Sequence, residues 1–405
     1  MDSRKKASPA LVFIILFGMV SLFSDMTHEA ASSIRGAFFS LLGASSAAIG
    51  FASGLGELVG YSLRYAFGKL ADKTKKYWTF VILGYILDIL AVPALALVGE
   101  QGWIAACALL IIQRTGKALK KPAKDTLMSF AATQEGIGKS FAIQELLDQI
   151  GAFLGPLFFS FVMLFKSQLP VYRRYAAAFA FTAIPGALTL LLLFVTKKAF
   201  PNPEQFEPEV KADAALKVDK RFIFYIIGIS FFAFGFLDYA LIVMHVSRTF
   251  VGTTGPITVE TLPLLYAGAM LVDAAAAFVF GIWYDKKGMQ ALIVSGLIAA
   301  PFVFFLFAVH SVPSLIVALV LWGIGMGAQE SILKAVVASI IPKSMRATGY
   351  GIFEFFFGIS FFFGSWLLGA LYDNNMWVMV AVSFTAQLLA IPFYFLARTK
   401  PPVKK

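Results

Sequence analysis

Charge is what this sequence has least of. Asp, Glu, Lys and Arg make up 14% of its 405 residues, and hydrophobic residues 59%; a soluble domain usually carries about 25% charged residues. So little charge cannot cover a surface with polar groups, which excludes a water-soluble globular protein and leaves lipid as the main solvent. Cysteine is nearly absent too: Cys107 alone excludes a disulfide framework and a cysteine metal cluster. His28, His245 and His310 are the only histidines and form no H-E-x-x-H pattern, so no metal is expected. "GIGKS" at 136–140 lacks the glycine a phosphate loop requires, with Thr133 in its place. "GLGELVG" and "GIGMGA" lie inside apolar runs with no strand before them, so close helix packing accounts for them. With no nucleophile, metal or cofactor set in the hydrophobic segments, neither an enzyme nor a bound cofactor is expected. A small-x-small cleavage site after the first apolar run is also missing, and that run is read as an uncleaved helix.

What is present is a succession of apolar runs. A spanning helix needs about 20 such residues, and that window finds segments near 10–40, 45–71, 77–99, 102–130, 137–165, 172–196, 221–250, 258–284, 289–309, 312–340, 345–372 and 375–398. The expected fold is an all-α membrane protein with twelve transmembrane helices. The one long polar stretch, "KKAFPNPEQFEPEVKADAALKVDKR" at 197–221, reads as a linker. It divides the chain into a six-helix half at 1–196, a linker at 197–220 and a second half at 221–405.

The net charge of +11 sits in alternate loops. Arg4, Lys5 and Lys6 precede the first helix, and Lys73, Lys75 and Lys76 follow the second. Lys139, the linker lysines, Lys286, Lys287, Lys343, Arg346, Lys400, Lys404 and Lys405 continue the series. The opposite loops are poor in Lys and Arg apart from Lys166, Arg173 and Arg174. Because basic loops stay in the cytoplasm, both termini and the linker are expected there, in a multi-pass protein of the cell membrane. The charge is an orientation signal and not a nucleic-acid patch. A monomer is expected, with lipid around it.

The halves repeat one another weakly. "GKLADKTKK" from Gly68 corresponds to "GIWYDKKG" from Gly281, with Asp72 and Asp285 separated by 213 residues (285 − 72). The same shift carries Asp25 to Asp238, Ser32 to His245 and Arg35 to Arg248. A separation of 209 relates Glu145 to Glu354 (354 − 145), Gly155 to Gly364, and Asp125 to Lys334. Six helices per half, each half starting on the same side, make a parallel repeat of the kind found in transporters. "GKLADKTKKYW" resembles the cytoplasmic loop signature of the major facilitator superfamily, "QRTGKALKKPA" (113–123) its fourth-helix pattern, and "GAFLGP" (151–156) the fifth-helix motif of its exporters. The glycine of the loop signature is Lys75 in the first copy and Gly288 in the second.

The charged residues fall on particular helix faces. Asp25, His28, Glu29, Ser32 and Arg35 share one arc of the first helix; Arg114, Lys117, Lys121, Lys124 and Asp125 share one arc of the fourth. Asp238, His245 and Arg248 line up in the seventh, and Glu330 and Lys334 are one turn apart in the tenth. The resemblance implies that helices one, four, seven and ten line a central cavity, the place where charges at bilayer depth are tolerated. Snorkelling at a helix end is the competing reading for Lys120, Lys121 and Lys124. A carboxylate removed from water holds a proton more readily because its charged form is poorly solvated, so Asp25, Glu29 and Asp238 are the candidates for proton coupling. A static ion pair with Arg114 or Lys117 is the alternative.

A second set, Glu57, Arg64, Glu145, Asp148, Asp273 and Glu354, lies on helices two, five, eight and eleven. The resemblance implies contacts between halves there, with Gly151, Gly155 and Pro156 in the same group. It also makes Asp72 and Asp285 gate residues, with Lys343 and Arg346 as partners. Asp88 is read as a member of a local ion pair. The expected function is alternating-access transport of a small polar or charged organic solute, by proton-coupled efflux. The alternatives are a proton symporter importing an organic anion and, from another class, a non-transporting membrane sensor or docking protein.

Overall fold

A computed structural model describes residues 8–135, 137–206, 219–252, 255–341 and 346–398. Among them every regular element is helical. The first expected span is two helices, α1 (Pro9–Ser32) and α2 (Arg35–Leu41); the next four are α3 (Ser46–Thr74), α4 (Tyr77–Ala94), α5 (Trp103–Glu135) and α6 (Ile137–Phe165). The sixth is again divided, into α7 (Val171–Phe181) and α8 (Ala183–Ala199). In the second half come α9 (Lys220–Gly235) and α10 (Tyr239–Thr249), then α11 (Leu262–Lys287), and the pair α12 (Gln290–Ala299) and α13 (Phe302–Phe307). The chain closes with α14 (Val312–Ile340), α15 (Arg346–Asn374) and α16 (Met376–Leu396). The sixteen helices thus make up the twelve expected spans, four of them broken.

Ten helical stretches are long and apolar enough to cross a membrane. The two expected spans outside that set are α3 and α5, which carry Glu57, Arg64, Lys69 and Asp72 in one and Arg114, Lys117, Lys120, Lys121, Lys124 and Asp125 in the other. Their charges defeat a hydropathy window without shortening the helix. Large side chains such as Phe161, Phe278 and Ile104 are two-thirds exposed, an arrangement stable only against an apolar solvent.

Polar side chains start several helices. Asp219 Oδ1 accepts the Arg221 N–H at 2.9 Å before α9, Ser311 Oγ accepts the Ser314 N–H before α14, and Asn375 Oδ1 accepts the Val378 N–H before α16. Each satisfies an N–H that the helix itself leaves open. The break between α9 and α10 is satisfied from its neighbours. Gly235 O accepts Ser383 Oγ–H at 2.6 Å and the Gln387 amide at 3.3 Å, and Leu237 O accepts Trp322 Nε1–H at 3.0 Å. In a membrane an irregular segment persists only where protein meets its polar groups in this way.

The repeated loop shows its symmetry in the backbone. Lys75 has φ +55° and Gly288, its counterpart 213 residues on (288 − 75), has φ +60°. A positive φ is therefore kept where the glycine is not, and Lys75 carries the Cβ crowding that comes with it. Lys75→Gly is expected to stabilise the protein by up to about 1 kcal/mol, read as a rise in melting temperature; a fall would show that the lysine side chain outweighs the strain.

The helices form two compact units. One holds the described residues within Met1–Ala31, Leu63–Val98 and Ala108–Lys211; the other holds those within Ser32–Ser62, Gly99–Cys107 and Ala212–Lys405. Helix α2 and the first half of α3 belong to the second unit, where α2 packs against α10. The core of the first unit lies under α1, α4 and α5, with Phe13, Phe17, Trp78, Tyr85 and Leu127 buried together. The rings of Phe13 and Phe17 stack at 5.3 Å, with Trp78 edge-on to both.

Candidate functional site

In the first unit, α1 turns Ser21, Ser24, Asp25, His28 and Glu29 toward the basic stripe of α5. Helix contact is close enough for short polar bonds. Gly84 of α4 and Gly116 of α5 face each other's backbones, so that a Cβ at either would meet main-chain atoms of the other helix. Beside that crossing, Lys120 Nζ pairs with the Asp88 carboxylate, donates to Ser24 Oγ at 2.9 Å, and lies 4.0 Å from the centre of the Tyr85 ring. One turn on, Lys124 Nζ donates to Ser21 Oγ at 2.5 Å and pairs with Asp148 of α6 at 3.8 Å. Both lysines are buried. They are members of internal ion pairs and do not snorkel. Asp88 takes the pairing role expected of it.

Lys121 alone of the stripe matches the surface reading. It is about one-third exposed and meets Asp125 at 3.9 Å along its own helix.

His28 occupies the other end of the stripe. The Gln113 side-chain amide meets its Nδ1, while Nε2 lies 3.3 Å from Lys117 Nζ and 3.5 Å from Glu29 Oε1. Arg114 is buried on the same face. Asp25 stands apart. It makes no hydrogen bond or ion pair with any described residue, although Lys117, Lys120, Lys124 and Asp148 are the charges that face it. Every other acid of this unit whose side chain is described has such a partner: Glu29 His28, Asp72 the Tyr77 hydroxyl, Asp88 Lys120, Asp125 Lys121, Glu145 Gln149, Asp148 Lys124.

The second unit holds the repeat counterparts, and it uses them differently. Asp238 does not present a free carboxylate. It caps α10, accepting the Ala240 N–H at 2.7 Å, and pairs with Arg35 at 3.7 Å. Its place at the α9–α10 break, where an N–H is open, explains the difference from Asp25 in mid-helix. His245 is buried against Phe307 at 4.5 Å between ring centres, with Nδ1 2.9 Å from the Tyr372 hydroxyl. Arg248 is one-third exposed. It donates to Ser40 Oγ at 2.9 Å and Ser46 Oγ at 3.0 Å, and lies 3.4 Å from Asp373 Oδ1. Asp373 in turn caps α3 from another helix, accepting the Ser46 N–H at 3.0 Å and the Ser46 hydroxyl at 2.9 Å. Nothing in the local sequence marks Asp373 for this role, since its partners are about 125 and 327 residues away. The side chains of Glu330 and Lys334 lie outside the described residues.

Of the residues expected between halves, several are placed within one unit. Gly151 and Gly155 of α6 press on the α1 backbone at Leu22 and Met26, and Gly364 of α15 presses on Phe234 of α9. The two glycines separated by 209 residues thus serve one purpose twice, letting the fifth span of each half meet the first. Pro156 is buried beside Gly155. Asp148 pairs with Lys124, Glu145 is exposed and bonded along its own helix to Gln149, and Asp273 is buried where Gly327 lets α14 approach α11. Glu57, Arg64 and Glu354 are half-buried, and Asp72 and Asp285 are exposed. Lys343 and the side chain of Arg346 lie outside the described residues.

Comparison with known proteins gives a consistent picture. The sequence model of the Major Facilitator Superfamily matches residues 8–255 and 223–405. An uncharacterized protein of Mycobacterium tuberculosis (strain ATCC 25618 / H37Rv) is 34% identical over 404 residues, covering 98% of this chain and 96% of its own. An uncharacterized MFS-type transporter of Methanocaldococcus jannaschii is 26% identical over 369 residues, covering 89% and 88%. Among solved structures, a bacterial homolog of the human lysosomal transporter Spinster, inward-facing and unoccupied, aligns over 97% of both chains with a TM-score of 0.74 at 15% identity.

Proposed function

The chain belongs to the Major Facilitator Superfamily, and on that premise we propose that it moves a small charged organic solute out of the cell in exchange for protons, by alternating access. One observation carries the reading: among the acids of the first unit whose side chains are described, Asp25 alone has neither ion pair nor hydrogen bond to a described residue. A carboxylate without a fixed partner can be occupied by a proton or by a cationic group of the solute, and not by both. That exclusion couples the two fluxes. Paired carboxylates such as Asp88 and Asp148 are held by their lysines and serve structure instead.

The resemblance of "GAFLGP" to an exporter motif supports the outward direction. The basic loops support cytoplasmic termini in the cell membrane. The decisive measurement uses purified protein in liposomes with an imposed pH gradient and a panel of metabolites and drugs. Asp25→Asn is expected to abolish substrate-driven proton movement, whereas Asp238→Asn is expected to lower stability with coupling retained. Proton movement that survives Asp25→Asn would sink the assignment.

A further inference from the structure

The basic stripe of α5 contains one lysine that no carboxylate among the described residues contacts. Lys120 holds Asp88, Lys124 holds Asp148 and Lys121 holds Asp125. Lys117 has no carboxylate among its described partners; its one polar contact is His28 Nε2 at 3.3 Å. That contact is conditional. The single Nε2 lone pair can accept from Lys117 only when the ring proton is on Nδ1. When the proton is on Nε2 it points to Glu29, 3.5 Å away, and the ammonium loses its acceptor. An ammonium carries three donors in any case, so at least two are unassigned within the described residues. Lys117 is half-buried, so the protein leaves part of its side chain uncovered.

Asp25 lies one turn from His28 on α1, and Lys117 of α5 meets His28, so two charges of opposite sign stand near one another with no contact between them among the described residues. We propose that Lys117 binds an anionic oxygen group of the transported solute while Asp25 takes its cationic group, so that the substrate is a zwitterion. This rests on the exchange reading of Asp25 given above. A lone lysine suits a single carboxylate or phosphate oxygen, since it lacks the planar fork that lets arginine grip two. Lys120, Lys121 and Lys124 are already taken up by carboxylates, so of the described lysines of the stripe Lys117 is the one left to answer the anionic group.

The test uses the full-length protein and matched triplets of probes: an amino acid, the amine lacking its carboxylate, and the acid lacking its amine. Binding is read by thermal stabilisation, and transport by solute-driven proton release from liposomes. The zwitterion of at least one triplet is expected to bind tenfold or more tightly than either trimmed form, the scale of one charge-assisted hydrogen bond. Lys117→Gln should erase its advantage over the amine, and Lys117→Arg should keep it. Lysophosphatidylcholine is included as a zwitterionic headgroup: stabilisation by it alone identifies a lipid source, and stabilisation by soluble amino acids a free solute. If every bound probe is a monocation or neutral, or if Lys117→Gln leaves the preference intact while Lys117→Arg does too, the proposal is overturned. The exchange role of Asp25 then still stands or falls on Asp25→Asn.

Discussion

Lys120→Ala is expected to lower stability by about 3–5 kcal/mol. Removing the ammonium leaves the Asp88 carboxylate, 2% exposed, with no counter-ion. Its Oδ1 already lacks a hydrogen-bond partner. Water cannot flow in to compensate, because Gly84 and Gly116 bring α4 and α5 into backbone contact beside it. The fall should appear in the melting temperature of the purified protein. Asp88→Leu combined with Lys120→Met should recover most of it, since removing both charges removes the uncompensated one. Lys121→Ala is the control on the same helix. Its pair with Asp125 is 34% and 41% exposed and is worth less than about 1 kcal/mol. Equal losses from the two lysines would show that burial does not govern these pairs.

That contrast also marks how far the sequence could be read. Periodicity placed the lysines on one face and repeat offsets matched their counterparts, because both depend on local spacing. Which lysine is buried depends on where two glycines let helices touch, and a lone glycine in an apolar run signals packing without naming its partner. Asp25 and Asp238 show the same limit. The offset of 213 residues makes them equivalents, yet one sits in a continuous helix and the other at a break, and the open N–H groups at the break recruit Asp238 as a cap. Helix α9 carries no proline at its end; it stops where Trp322, Ser383 and Gln387 supply donors from elsewhere in the chain. The twelve spans were legible because lipid imposes length and apolarity residue by residue. The latch at Asp373 was not, since it joins the start of α3 to the end of α15 over long separations.

Gly36→Val is expected to open that same region. Gly36 lies in α2 against the Ala240 carbonyl of α10, so close that any Cβ would overlap main-chain atoms. A backbone carbonyl cannot swing aside as a side chain can, so the helices must part. The cost of overpacking is typically about 1–3 kcal/mol. It falls on the arrangement in which α2 and α10 touch, next to the Arg35–Asp238 pair and the Arg248, Ser46 and Asp373 cluster. On the alternating-access reading proposed above, a penalty on one arrangement shifts population to the other. A penalty of about 1.4 kcal/mol shifts the ratio tenfold. The shift can be read at Ala44, 3% exposed in the connection between α2 and α3. With Cys107→Ala as background, Ala44→Cys should react with a membrane-impermeant thiol reagent about tenfold faster or more when Gly36→Val is present. Gly43, in the same connection with φ +91° and open space around it, supplies the comparison: Gly43→Ala strains the turn without touching α10, and should leave labelling at position 44 near its original rate. Unchanged labelling in Gly36→Val, with stability also unchanged, would mean that α2 and α10 do not meet as closely as the structure has them.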